Sequence, residues 1–437
     1  DEIGNVIMTK KASPGFENKK SVIMQSHMDM VCEKNSDTDF DFDNDAIQAY
    51  VDGGWVKAKG TTLGADDGIG VAAQMAILKS DTIKHGPIEC LFTVDEETGL
   101  TGAFALKPGF FNSRILLNLD SEDEGEIFIG CAGGVDTVVE FDYVKERVPD
   151  AHQAFKLNVS GLKGGHSGDE IHKGLGNSNK ILNRILWHAQ DEFGLKLSIF
   201  DGGNLRNAIP REAYAIVTIP EDKIQGFTNY VYAFTKDVKY ELLENAPDLK
   251  IEYGKVALPD YVIDENTQYN LLHSLYACPH GVFAMSFKLE GLVETSTNLA
   301  SVKFLDNEKI EVVTSQRSSI DSSKIDIANM VASVFTLAGA RVKHSDGYPG
   351  WAPDPNSEIL KIAADSYERL FGKRPVVRAI HAGLECGLFL EKYPDLDMIS
   401  FGPTLRGVHS PDERIDIETV EKWWTHLLDI LQNIPTA

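Results

Sequence analysis

Cysteine is scarce in this chain: the five residues Cys32, Cys90, Cys131, Cys278 and Cys386 among 437 are odd in number and never spaced C-x-x-C. That excludes a disulfide framework and a thiolate zinc site, and predicts reduced, buried thiols in a cytoplasmic protein. No apolar run is long enough to span a bilayer and no signal-like start is present, so no membrane association is expected. Positive charge is also short, with 42 Lys and Arg against 66 Asp and Glu. A net charge of -24 leaves no basic surface for nucleic acid or an anionic membrane. Familiar catalytic signatures are missing too. H-E-x-x-H does not occur, and "GGHSG" (164–168) has His166 where a nucleophile elbow requires Ser. Neither "DTDFDFDND" nor "DSEDEGE" is an EF-hand: counted from Asp39, Asn44 stands where Gly is needed and Tyr50 where Glu is needed.

What is present fills two or three domains by length, at 43% hydrophobic and 25% charged residues, a globular composition. The chain begins "DEIGNVIMTK", without Met and inside an expected strand, so residues are expected to precede Asp1. Residues 21 to 132 alternate apolar runs ("SVIM", "IECLFTV", "RILLNL") with a helical pattern at 70–80, the mark of a mostly parallel, buried sheet. The style returns from about 348, through "SEILKIAADSYERLFG", "PVVRAI", "HAGLECGLFLEKY", "MISFGP" and a long amphipathic last helix. The expectation is an α/β fold: a split domain, 1–132 with 348–437, around an inserted α+β unit at 133–347. Within the insert, 204–234 and 298–335 share an order of Asn-Leu, two strands and a helix, which predicts a doubled module.

Ionisable residues gather where those strands end. "SVIMQS" runs into His27 and Asp29, "IECLFTV" into Asp95, Glu96 and Glu97, "RILLNL" into Asp120, and the segment after "MISFGP" reaches His409. Parallel strands put all their carboxyl ends on one edge, where open α/β sheets bind ligands. "LGADDGIG" adds Asp66 and Asp67 in a Gly-flanked turn that would let backbone approach a ligand. Singly, each residue is as readily a cap or a solvated acid. Several carboxylates in one pocket repel one another and resist desolvation, and divalent cations remove that objection. His, Asp and Glu without thiolate suit zinc first, with cobalt or manganese as alternatives to it.

"SHMDMV", "GADDGIG", "DEETGLTGA", "NLDSED", "GGHSG", "NAIPRE" and "GVHSPDER" resemble, in order and spacing, the metallopeptidase M20 family, and within it the aminoacyl-histidine (Xaa-His) dipeptidase branch. The resemblance covers nearly the whole chain. It implies a split catalytic domain with two divalent metal ions and an inserted lid. His27 and Asp120 would then hold one ion, Glu97 and His409 the other, and Asp66 would bridge them. Glu96 would be the general base, and Asp29 would accept a hydrogen bond from the second His27 nitrogen and aim the ring. His166 would assist the oxyanion, Asn207 the carbonyl or carboxylate, and Arg317 the free carboxylate. Glu385 would hold the ammonium, although "HAGLECG" departs there from the Thr-Asp of many relatives. His381 is given no role. Implied too are unblocked dipeptide substrates and a homodimer; short lids in the family lend a histidine across such a dimer, longer ones within a chain. Two other readings stand beside this: an amidohydrolase of N-acyl amino acids, which needs no ammonium partner, and a metal- or peptide-binding relative without catalysis.

Overall fold

Val22–His27 and Ile88–Thr93 are buried at all six positions, as strands covered on both faces must be. They lie in the sheet of the first of two compact units of the computed structural model, which describes residues 1–437. This unit comprises Asp1–Cys131 and Trp351–Ala437, the other Ala132–Gly350.

The first unit's sheet has seven strands, in the order Val6–Lys10, Ile88–Thr93, Val22–His27, Ile115–Asn118, Asp397–Ser400, Glu126–Cys131 and Val376–Ile380. Its centre is parallel: Ile88–Thr93, Val22–His27, Ile115–Asn118 and Asp397–Ser400 run one way, in register. Val6–Lys10 closes one edge antiparallel, and Glu126–Cys131 opposes Asp397–Ser400. Helix Glu358–Phe371 starts at Ser357, whose hydroxyl accepts from Leu360 N at 3.0 Å, and stops at left-handed Gly372. It lies beside the last helix, Ile417–Asn433, where His426 Nε2 donates to the Ala363 carbonyl at 2.8 Å. The helix expected over "HAGLECGLFLEKY" begins only at Glu385. A second, four-stranded sheet joins Ala49–Asp52 and Trp55–Ala58 to the short hairpin Leu405–Arg406 and Arg414–Asp416.

In the second unit every registered pairing is antiparallel. Strand-helix-strand-strand-helix-strand occurs twice. One set is His152–Ser160, Ser178–Phe193, Lys196–Gly202, Ala213–Pro220, Ile224–Glu241 and Lys250–Lys255. It is inserted after the opening strand of the other, Gly133–Asp142, Glu265–Ala277, Val293–Leu305, Lys309–Ser318, Asp321–Leu337 and Arg341–His344. The strand orders mirror each other and meet where Gly202 pairs with Val302. The counterpart of Val293–Leu305 is therefore Lys196–Gly202, which precedes Asn204, so the segments 204–234 and 298–335 correspond in their later strand and helix but not in their first strand. Ala208–Ile209 belongs instead to a separate ladder with Gly165–His166. Alternating apolar residues look alike in any half-buried strand, so the Asn-Leu pair was no landmark. One apolar cluster, including Leu157, Leu197, Val217, Phe227, Leu299, Val312 and Phe335, packs the helices on the sheet. No helix in either unit is long and apolar enough to cross a membrane.

Candidate functional site

His27 ends its strand with its ring 1% exposed. Its Nε2 lies 3.2 Å from Asp66 Oδ1 and 3.3 Å from Asp120 Oδ1. The other oxygen of Asp66 is 3.3 Å from His409 Nε2, and His409 is 3.0 Å from Glu97 Oε2. One carboxylate thus faces two histidines, each of which also faces a second carboxylate. Ligand atoms of His27, Asp66 and Glu97 all lie within 4.8 Å of one another. Glu97 Oε1 is buried without a hydrogen-bond partner, a costly state for a carboxylate that a cation would relieve.

The protonation preferences of these groups follow from the same excess of negative charge. Burial, then the charges of Asp66 and Asp67, drive the Asp120 carboxyl well above its usual range, with His27 opposing. Burial, then Asp120, push Glu96 up to about 9. His409 is raised to about 10 by its bonds to Asp66 and Glu97. The His27 imidazole goes far above its usual range because Asp120, Asp29 and Asp66 outweigh its burial. Five donors from five separate segments, three of them carboxylates crowded together, fit a pair of divalent cations.

The surrounding backbone explains how each group arrives. Left-handed Asp95 and Leu100 bracket the short helix Glu96–Gly99, which turns the chain away from the strand so that neighbours Glu96 and Glu97 separate. The Gly64 turn is left-handed at φ 72°, and Asp66 and Asp67 leave helical geometry within Ala65–Lys79. Gly70 serves packing rather than a ligand: a Cβ there would lie 2.3 Å from Ser26 Oγ and 2.5 Å from Asp67 Oδ1.

Asp29 acts differently from the expectation. The His27 Nδ1 lies 3.0 Å from the main-chain carbonyl of Asp29, while Asp29 Oδ1 stays 3.6 Å away. Its carboxylate instead accepts from the backbone N–H of Glu96 and of Glu97, both at 3.1 Å. An extended pair shares a face, but the chain leaves the strand after His27, which turns the Asp29 carbonyl to the ring and frees the side chain for the next turn. With His27 and these amides outweighing burial, the Asp29 carboxyl falls to about 2.

Glu413 was missed in the sequence. Its Oε2 accepts from Leu63 N (2.7 Å) and Gly64 N (3.0 Å), its Oε1 from Ala65 N (2.8 Å) and Asp66 N (3.3 Å). One buried carboxylate therefore ties the His409 loop to the Asp66 turn. The only signal was an acid four residues after His409.

Glu385 is not open to a substrate ammonium. It is 1% exposed, and its Oε2 accepts from Gln25 Nε2 at 2.6 Å and Thr93 Oγ1 at 2.9 Å. Burial lifts its carboxyl to about 7. The helix starting at Glu385 sets this side chain beneath the ligand-bearing strands instead.

Three of the sequence-predicted residues lie in the second unit. His166 sits in the ladder with Ala208, beside Asn207, whose carbonyl accepts from Ser167 N at 2.8 Å. His166 Nδ1 accepts from Gly168 N (3.3 Å) and Asp169 N (3.1 Å), which places the ring proton on Nε2 as a donor. Burial, then the charge of Arg317, lower its pKa and keep it neutral. Arg317 is 7% exposed and donates to the Tyr348 hydroxyl at 2.8 Å, while Asn207 is exposed.

The family model "Peptidase family M20/M25/M40" matches residues 23–433. Over 435 residues the chain is 46% identical to the cytosol non-specific dipeptidase of Escherichia coli (strain K12), covering 100% of this chain and 90% of that protein. The aminoacylhistidine dipeptidase of Vibrio alginolyticus superposes with a TM-score of 0.92 at 48% identity, covering 100% of this chain and 89% of that one. Aminopeptidase PepT of Bacillus cereus ATCC 10987, at 16% identity and a TM-score of 0.53 over 99% of this chain and 84% of its own, shares the fold alone. On the family match and on identity sustained along its whole length, this chain belongs to peptidase family M20/M25/M40.

Proposed function

We propose that the chain is a cytoplasmic dipeptidase that hydrolyses unblocked dipeptides, Xaa-His types included, with two divalent metal ions per chain, zinc before cobalt or manganese. The observation that carries the reading is Asp66, one carboxylate whose two oxygens each face a histidine that is itself paired with a further acid. Likeness to two proteins named as dipeptidases supports the substrate class. His27, Asp120 and Asp66 would hold one ion, Glu97, His409 and Asp66 the other. Such ions, when bound, supply an acidified water and polarise the scissile carbonyl.

This chain's residues do the remainder. Glu96 takes the water's proton on its carboxylate and passes it to the departing amine. Asp29 holds the Glu96 and Glu97 amides, fixing base and ligand in one turn. His166 Nε2–H would donate to the developing oxyanion, with Arg317 and Asn207 binding the substrate's carboxyl end; the inserted unit would be the lid, in a homodimer.

The test is metal titration combined with a panel of free and N-acetylated dipeptides. Two equivalents of metal at saturation and preference for free dipeptides are expected. Fewer than two metals refutes the paired site, and preference for acetylated substrates favours the N-acyl amidohydrolase reading.

A further inference from the structure

An arginine grips a carboxylate with two parallel N–H···O bonds only when the two planar groups coincide, so its guanidinium must be held at a fixed angle. Arg317 lies near the end of strand Lys309–Ser318 and is 7% exposed. Its Nη1 donates to the Tyr348 hydroxyl at 2.8 Å, whereas its Nε is buried without a hydrogen-bond partner. A buried donor in that state is costly, and it marks the edge of the guanidinium where an acceptor is due. With Nη1 taken, that edge is the side-on one, Nε with Nη2.

Strand register explains how Tyr348 reaches Arg317. Gly134 pairs with Arg317 on one side and forms an antiparallel bridge with Tyr348 on the other. The three residues therefore stand in line across three neighbouring segments, which puts the outer two about 10 Å apart, two strand spacings. A tyrosine spans that gap only by lying across the middle position, and only glycine leaves the room. A Cβ on Gly134 would lie 2.7 Å from the Tyr348 ring and hydroxyl. The Tyr348 main chain is anchored as well. Its N–H donates to the Gly134 carbonyl at 2.9 Å, and its own carbonyl accepts from Gly134 N at 3.1 Å and Lys324 Nζ at 2.6 Å. Lys324, 8% exposed, is held in turn by Asp321 Oδ1 at 2.8 Å. The main-chain bonds secure the segment without the phenol; what the hydroxyl adds is a hold on Arg317.

We propose that Tyr348 is a positioning residue, its hydroxyl orienting the Arg317 guanidinium so that Nε and Nη2 meet the dipeptide's free carboxylate side-on. The inference rests on the dipeptidase reading, in which Arg317 binds that carboxylate. Without the hydroxyl the guanidinium turns freely, and the cost falls on holding the carboxylate rather than on the proton transfers.

The experiment crosses substitutions with a substrate change. Metal-saturated wild type, Tyr348→Phe, Arg317→Met and the double variant are assayed on alanyl-histidine and on its C-terminal amide, with the thermal transition measured for each; where the amide turns over too slowly, its inhibition constant replaces KM. Tyr348→Phe is expected to raise KM on alanyl-histidine about 5- to 20-fold, with kcat within about threefold and the amide within about twofold of wild type. Because Tyr348 acts through Arg317, adding Tyr348→Phe to Arg317→Met should cost less than about twofold more. Equal losses on acid and amide, no change on alanyl-histidine, or additive losses in the double variant each overturn the inference. KM does not depend on how much enzyme is folded, so the acid-to-amide ratio decides even for a less stable variant. Failure of the parent reading looks different: Arg317→Met would itself treat acid and amide alike, and the inference would fall with it.

Discussion

In the first unit, four neighbouring strands run parallel and deliver Thr93, His27, Asn118 and Ser400 towards one edge; in the second, antiparallel neighbours send successive ends to opposite edges. The first can therefore collect ligands from strand ends far apart in sequence. It also supports them with a buried polar chain. Glu385 accepts from Gln25 and Thr93, Gln25 Oε1 accepts from Asn118 Nδ2 at 2.6 Å, Asn118 accepts from Ser400, and Ser400 meets Ser121 at 2.6 Å. Gln25 and Asn118 each stand two residues before a candidate ligand, so this chain fixes the strands just below His27 and Asp120. In the second unit the residues proposed to meet substrate stand instead on a two-residue ladder, a loop and one strand end, while Leu157, Phe227 and their neighbours form an apolar core. Sheet direction decides whether function is built on strand ends or on their connections.

The comparison breaks most visibly at Glu96. Glu96→Gln should lower kcat on dipeptides by about 10³-fold or more with both metals retained, as measured by turnover and metal analysis; activity within tenfold of wild type would remove Glu96 from the chemistry. Leu157→Ala should cost about 2–5 kcal/mol in the second unit by opening a cavity in its apolar core. Denaturant unfolding should show that loss while metal stoichiometry stays the same, and a lost metal would mean that the units are not separable in this respect.

Glu385 tests the buried chain through pH. Its folded pKa, about 7, lies above the unfolded value of 4.5, so the native state holds the proton more tightly. Its contribution is fully present below pH 4.5 and is lost as pH rises through 7. In metal-free protein, Glu385→Gln should remove a fall of about 3 kcal/mol across that window, read from urea unfolding at several pH values. Identical slopes for the two proteins would refute the assignment. Glu413→Gln should have the smallest effect, about 1–3 kcal/mol of metal affinity by calorimetry, as two of the four amides keep only a neutral carbonyl acceptor and the other two face an NH2 donor.

Much of this arrangement was legible in advance. "SVIMQSH" and "IECLFTV" read as buried parallel strands because continuous apolar runs need cover on both faces, and the ligand-type residues stood at their ends. Gly372 marked a helix end because a left-handed residue is needed there. The Asp29 carboxylate stands 3.6 Å from His27 Nδ1, and its main-chain carbonyl comes closer, because two-residue spacing fixes a shared face only while the strand continues, and it stops at His27. Glu413 was passed over because an acid in a loop looks solvated until its neighbours are known. The repeat in the second unit was misaligned at its first strand because Asn204 follows Lys196–Gly202 whereas Asn298 lies inside Val293–Leu305.

By itself, the sequence determined the α/β class, the excess of acidic over basic residues, and which residue types stand at which strand ends. These follow from local periodicity and chemistry, which need no partner to be read. Only the tertiary structure decided that Asp66 faces two histidines and that Glu385 lies sealed under the site. Distance and burial between residues remote in sequence are set by how the strands pack, and that is where a carboxylate acquires its charge partner or goes without one.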